Sequence, residues 1–183
     1  MGERGRNIVL TGFMATGKTS VGRRLAERLR FEFVDVDTLI EAEAGMPIPQ
    51  LFSERGEASF RAIEAAMVER VARRERCVIA TGGGAVVNPC NLAVLKGSGT
   101  MIALTADPAT ILARVGGAAD RPMLQGGDPR ARIAQLLAAR GPAYAQADVT
   151  VDTSDRTVEE VVECIVRSLE RVARSQTEEH ERP

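Results

Sequence analysis

The stretch Gly12-Phe13-Met14-Ala15-Thr16-Gly17-Lys18-Thr19 constrains the fold of this chain more than any other. It follows a short apolar run, Ile8-Val9-Leu10, and precedes a segment in which Val21, Leu25 and Leu29 recur on one helical face. The spacing G-x-x-x-x-G-K-[ST] at a strand-to-helix turn is the Walker A pattern. Gly12 and Gly17 permit torsions and a close approach that a Cβ would block, so backbone N–H groups of the loop, Ala15 and Thr16 included, can turn toward phosphate oxygens. The helix beginning near Lys18 adds its positive end, with Ser20 in its first turn. Lys18 is placed to reach the β- and γ-phosphates, and the Thr19 hydroxyl to hold Mg²⁺. The pattern predicts nucleoside triphosphate binding and leaves the acceptor open.

The rest of the chain alternates between strand-like and helix-like segments. Phe33 to Asp37 reads as a second strand turning acidic at its end, Cys77 to Thr81 as a third, Thr100 to Thr105 as a fourth and Val149 to Asp152 as a fifth. Between them lie helical stretches at Thr38 to Ala44, Ile48 to Glu54, Glu57 to Arg73, from Asp107-Pro108 to Val115, Pro129 to Arg140, a short one holding Tyr144, and Val158 to Val172. Such alternation predicts an α/β protein, a five-stranded parallel sheet covered by helices on both faces in three layers. At 183 residues the expectation is one domain, 1–183, with a mobile lid over about 116–128, a substrate-binding helical region over about 38–73 and a flexible charged tail over about 173–183.

Composition removes several classes of function. A net charge of −1 and a pI near 6.0 argue against nucleic acid or an anionic membrane as partner. All but two of the 24 basic residues, Lys18 and Lys96, are arginine, a bias that genomic base composition explains for most surface positions and that leaves a minority as planar anion clamps. Cys77, Cys90 and Cys164 form no C-x-x-C pair and read as buried thiols of a reducing compartment. The one histidine, His180, lies in the polar tail, so His-dependent nucleophilic catalysis is not expected. No apolar run approaches about 20 residues, so a cytoplasmic protein is expected, and no spare hydrophobic face is suggested, so a monomer is expected.

Acceptor chemistry must come from the strand ends near the phosphate loop. Asp35 and Asp37, two apart in extended chain, would leave the same side of a strand, one to organise Mg²⁺ and the other to accept a proton from an attacking hydroxyl. Asp35 also replaces the metal-binding aspartate that the third strand lacks. Glu57, Arg61 and Glu64 share a helical face, which by itself is a ladder of salt bridges. Arg61, Arg121 and Arg140 lie in segments that flank sheet-edge loops, and Gly82-Gly83-Gly84 after a strand is a place where backbone approaches a ligand or where the chain takes positive φ. Ala118 to Gly127, bracketed by glycine pairs, has the makings of a lid that carries Arg121 onto the phosphates.

Taken in order, GFMATGKTSVGRRLA from Gly12, DVD at Asp35 to Asp37, FRAIE at Phe60 to Glu64, TGGGAV from Thr81, RPML at Arg121 to Leu124 and R-x-x-x-Y at Arg140 to Tyr144 closely resemble the shikimate kinases. The resemblance implies MgATP-dependent phosphorylation of the 3-hydroxyl of shikimate, giving ADP and shikimate 3-phosphate on the way to chorismate and aromatic amino acids. It implies Asp37 as the base that binds the acceptor hydroxyls, and Arg61 and Arg140 as the grip on its carboxylate. Gly82 to Gly84 would line the ring, and Asp35 would serve Mg²⁺ with Thr19. Arg121 would be the lid arginine, and Arg114 and Arg156 would flank adenine. Two departures from the family pattern stand out: Ala15-Thr16 replaces a glycine-containing pair, and Met123 replaces a leucine. The competing readings are another small-molecule kinase of this architecture, of gluconate or nucleoside monophosphate type, and a non-catalytic nucleotide-binding module.

Overall fold

The computed structural model describes residues 7–115 and 128–180, with side chains through residue 174. Five parallel strands, β1 (Asn7–Gly12), β2 (Glu32–Asp35), β3 (Cys77–Ala80), β4 (Gly99–Thr105) and β5 (Val149–Asp152), form one sheet in the order β2-β3-β1-β4-β5. The strand carrying the phosphate loop is therefore central, and its neighbours β3 and β4 end beside it.

Period-two alternation in β1 sends its side chains to two separate apolar layers. Ile8 and Leu10 pack with Val21 and Leu25 of α1 (Lys18–Leu29) and Val161 and Ile165 of α7 (Val158–His180). Val9 enters the opposite layer, with Ile40 of α2 (Val36–Ala44), Phe60 and Val68 of α3 (Ile48–Ala72) and Ile133 of α6 (Pro129–Tyr144). Both layers are fully buried at their centres, so the sheet is a rigid platform for the loops at its carboxyl edge. The predicted three-layer α/β architecture is the one observed.

Within α3, Gly56 takes φ 76° and ψ 170° and breaks the helix between Ile48–Arg55 and the stretch from Glu57, as the two separate helical patterns in the sequence imply. Elsewhere the structure corrects the sequence reading. β2 ends at Asp35, not Asp37, because Asp35 caps α2: its Oδ1 accepts the Asp37 N–H at 3.1 Å. A helix, α4 (Pro89–Ser98), occupies a stretch to which the sequence pattern assigned no element. Asn88 caps it through the Cys90 N–H at 2.9 Å, with Pro89 at the first position, so Cys90 sits on an exposed first turn and not in a turn of the core. Of the three thiols only Cys77 is buried, and Cys164 is half-buried. Gly141-Pro142 does not split α6 from the Tyr144 turn, and the α7 backbone continues through 173–180 to His180. The remaining α-helix among the described residues, α5, is Pro108–Val115, a 3-10 turn covers Ala85–Val87, and the predicted lid segment with Arg121 and Met123 lies outside the described residues. Among the described residues no helix is long and apolar enough to cross a membrane.

Candidate active site

The phosphate loop is wound by three residues at positive φ: Gly12 at 137°, Ala15 at 60° and Gly17 at 90°. A Cβ on Gly12 would stand 2.1 Å from the Leu104 carbonyl oxygen, so β1 and β4 can approach here only because position 12 has no side chain. Gly17 then delivers the chain into α1. Ala15 is the departure noted in the sequence. It adopts a left-handed conformation that costs an L-residue about 1–2 kcal/mol, where glycine would cost nothing. Lys18 Nζ donates to the carbonyls of Gly12 at 2.9 Å and Phe13 at 2.7 Å, arching over the loop. Thr16 is buried, its hydroxyl donating to Phe13 O at 2.8 Å.

A cleft of about 590 Å³ opens in front of this loop. Gly17 to Ser20 and Asp35 line one end, and Asp37, Arg61, Gly82 to Gly84 and Arg140 line the other. Thr19 Oγ1 donates to Asp35 Oδ2 at 2.9 Å, which sets a hydroxyl and a carboxylate side by side next to the loop. Asp37, one residue into α2, faces the cleft from a helix instead of from the extended strand expected. Its carboxyl is pushed up to about 6, first by burial, then by the neighbouring Asp35 charge; Lys18 partly offsets this, and Glu64 and Glu41 add to it. A carboxylate with this pKa is largely ionised at neutral pH and basic enough to take a proton.

The three glycines make the acceptor end possible. A Cβ on Gly82 would sit 2.8 Å from Asp37 Oδ1 and 3.1 Å from Glu64 Oε1, and one on Gly84 would sit 3.0 Å from Arg61 Nη1. Gly83 lies against Arg140, whose Nη1 would be 3.4 Å from a Cβ at that position. Each glycine is thus the floor under a different charged group. Tyr144 fixes this run from below by donating its hydroxyl to Gly83 O at 2.5 Å, and burial pushes its phenol pKa up. Phe52 and Phe60, with ring centroids 4.6 Å apart, close an apolar wall, and Arg61 and Arg140 each lie over an aromatic face, Phe60 and Phe13 respectively.

Glu64 is the residue that reading by motif undervalued. It is 1% exposed and accepts from Arg61 Nη1 at 2.7 Å, while Glu57 takes the other side of the guanidinium at 3.2 and 3.3 Å. Burial raises the Glu64 pKa and the Arg61 contact opposes that rise. Burial also opposes the Arg61 charge, but the two carboxylates outweigh it and hold the guanidinium charged. What looks in sequence like a weak surface ladder is a half-buried pair that aims Arg61 into the cleft. The signal that could have revealed it is the proximity in sequence of Phe60 and Met67, which put Glu64 on the apolar side of α3.

Among the described residues four predicted ones do not line the cleft: Gly12 and Thr16, which lie within the phosphate loop, and Arg114 and Arg156, which lie beyond it. Arg114 reaches behind the phosphate loop, donating to Thr153 O at 2.6 Å, Thr153 Oγ1 at 3.0 Å and Ala15 O at 3.4 Å. Arg156 donates to Asp152 O at 3.2 Å in the loop after β5. Both are tied to the segment 152–156 that follows β5.

A central strand ending in a phosphate-binding loop, with a raised-pKa carboxylate and two arginines across the same cleft, defines a P-loop phosphotransferase with a small, anionic, hydroxylated acceptor. Residues 14–170 match the family model described as shikimate kinase. A shikimate kinase of Caldanaerobacter subterraneus subsp. tengcongensis is 48% identical over 163 residues, covering 89% of this chain and 95% of that one. One from Thermoanaerobacter pseudethanolicus is 46% identical over 167 residues, 91% and 98% of the two chains. Among solved structures, shikimate kinase from Acinetobacter baumannii in complex with shikimate superposes with a TM-score of 0.87 at 36% identity, covering 91% of this chain and 94% of that one. The chain belongs to the shikimate kinase family.

Proposed function

We propose that this protein transfers the γ-phosphoryl group of MgATP to the 3-hydroxyl of shikimate, forming ADP and shikimate 3-phosphate. The observation that carries this reading is the convergence of Asp37, Arg61 and Arg140 on the three-glycine floor, in the same cleft as the phosphate loop. Planar guanidinium forks suit a carboxylate, and the flat floor suits a ring. Asp37 holds the acceptor hydroxyl and takes its proton as the oxygen attacks phosphorus. Lys18 leaves the loop carbonyls to bind the β- and γ-phosphates, and the amides of residues 15–20 hold the donor still. Gly12 and Thr16 shape that loop from within.

The Thr19 hydroxyl and the Asp35 carboxylate, 2.9 Å apart, are hard oxygen donors of the kind Mg²⁺ takes alongside phosphate oxygens. When bound, the cation neutralises charge on the transferring group. Arg121, outside the described residues, is the arginine that the RPML motif assigns to the same charge. Arg114 and Arg156 border the adenine site. Val87 is the one large hydrophobic side chain exposed among the described residues, which favours a monomer, and the free thiols suit a reducing cytosol.

The test is ADP release with MgATP and shikimate, gluconate or AMP in parallel. Turnover with shikimate alone is expected. Turnover with gluconate or AMP and none with shikimate would sink the proposal.

A further inference from the structure

We infer that Thr153 is a positioning residue for the nucleotide phosphates, holding the phosphate loop from its outer side so that the loop amides face inward. Thr153 follows β5, far from the acceptor, and is 3% exposed. Its hydroxyl lies 3.2 Å from the Thr16 carbonyl oxygen and 3.0 Å from that of Thr105, and accepts from Arg114 Nη1 at 3.0 Å. Its own amide donates to Thr105 O at 2.8 Å and its carbonyl accepts from Arg114 Nη2 at 2.6 Å. One buried threonine therefore joins β4, α5 and the loop after β5 to the back of the phosphate loop. A hydroxyl has a single hydrogen, so it donates to one carbonyl at a time while its lone pair keeps Arg114 in place. Arg114 in turn reaches the Ala15 carbonyl at 3.4 Å.

The consequence follows from peptide planarity. In a trans peptide the C=O of one residue points opposite to the N–H of the next. Carbonyls of Ala15 and Thr16 drawn outward by Arg114 and Thr153 turn the amides of Thr16 and Gly17 the other way, toward the side where phosphate binds. The restraint matters more here because Ala15 sits at φ 60° without the freedom of glycine, so the loop has a local reason to relax into another conformation. Thr153 offsets that tendency from a position that never meets the ligand.

This inference rests on the kinase reading, but its test does not need the acceptor. Thr153→Val keeps shape and removes the hydroxyl; Thr153→Ser keeps the hydroxyl. Binding of Mg²⁺-tripolyphosphate and of MgADP is measured by calorimetry, with melting curves alongside. Thr153→Val is expected to weaken both about tenfold, the scale of one lost charge-coupled hydrogen bond, and Thr153→Ser to restore them. In turnover the KM for ATP rises in the Val variant while kcat and the KM for shikimate stay within about twofold. Should the Val variant not fold, Thr153→Ala removes the same hydroxyl with no added crowding. Unchanged tripolyphosphate affinity, failure of serine to rescue, or an equal loss on the ATP and shikimate sides overturns the inference. A wild-type protein that binds tripolyphosphate in a Thr153-dependent way yet fails to phosphorylate shikimate would overturn the proposed function and leave this inference standing.

Discussion

Replacing Asp37 by asparagine should abolish turnover and make the protein more stable. The carboxyl is raised from 3.8 to about 6, with burial the leading cause and Asp35 the next. A group that binds its proton more tightly in the folded than in the unfolded chain stabilises the fold where it is protonated in both states, below about pH 4. That stability is lost as pH rises from there through about 6. A rise of this size corresponds to at most about 3 kcal/mol at pH 8, and water at the mouth of the cleft reduces this to about 1–2 kcal/mol. Asparagine has the same shape without the charge. Urea unfolding followed by circular dichroism should therefore show Asp37→Asn about 1–2 kcal/mol more stable than wild type at pH 8, with the gap closing near pH 4. The same variant should bind MgADP normally and lose most turnover. A variant equally or less stable at pH 8, or a gap that widens in acid, would refute the reasoning about the site's electrostatics; retained turnover would remove Asp37 from the mechanism.

The wild-type kcat/KM should fall as pH drops through about 6, because the protonated Asp37 cannot accept the hydroxyl proton, and a pH–rate profile flat from about 5 to about 8 would contradict this. Gly82→Ala drives a Cβ to 2.8 Å from Asp37 Oδ1 and should cut turnover about 100-fold while leaving MgADP affinity unchanged, as calorimetry and steady-state kinetics would report. Tyr144→Phe frees the Gly83 carbonyl and should raise the KM for shikimate about three- to tenfold with little change in the KM for ATP. Ala15→Gly removes the left-handed strain but adds freedom to the unfolded chain, so thermal melting should show a net gain of no more than about 1 kcal/mol; a loss would mean that the alanine side chain packs favourably.

Fold and site were legible in the sequence to different depths. The apolar run ahead of Gly12 marks β1 as a buried strand, and the other strands announce themselves as short β-branched runs, so the three-layer class could be read without coordinates, whereas the strand order could not. The DVD segment was harder: two aspartates flanking a valine are equally compatible with an extended strand end and with a helix cap, and only the Asp35-to-Asp37 amide contact decides for the cap. Helix α4 is short and weakly amphipathic, so its only sequence mark is Asn88-Pro89, the same kind of signature that identified α5 at Asp107-Pro108. Arg61 was found by motif, but Glu64 gains its importance from burial, which linear spacing does not reveal. Thr153 carries no motif at all; its role arises from three chain segments that meet only in the folded protein.

The most direct test of the account is the product itself. After reaction with MgATP and shikimate, proton–phosphorus correlation by NMR should show one organic phosphate, coupled to the proton on C3. Phosphate on another hydroxyl, or only inorganic phosphate beside unchanged shikimate, would contradict the proposed role of Asp37 as the base at the acceptor end of the cleft.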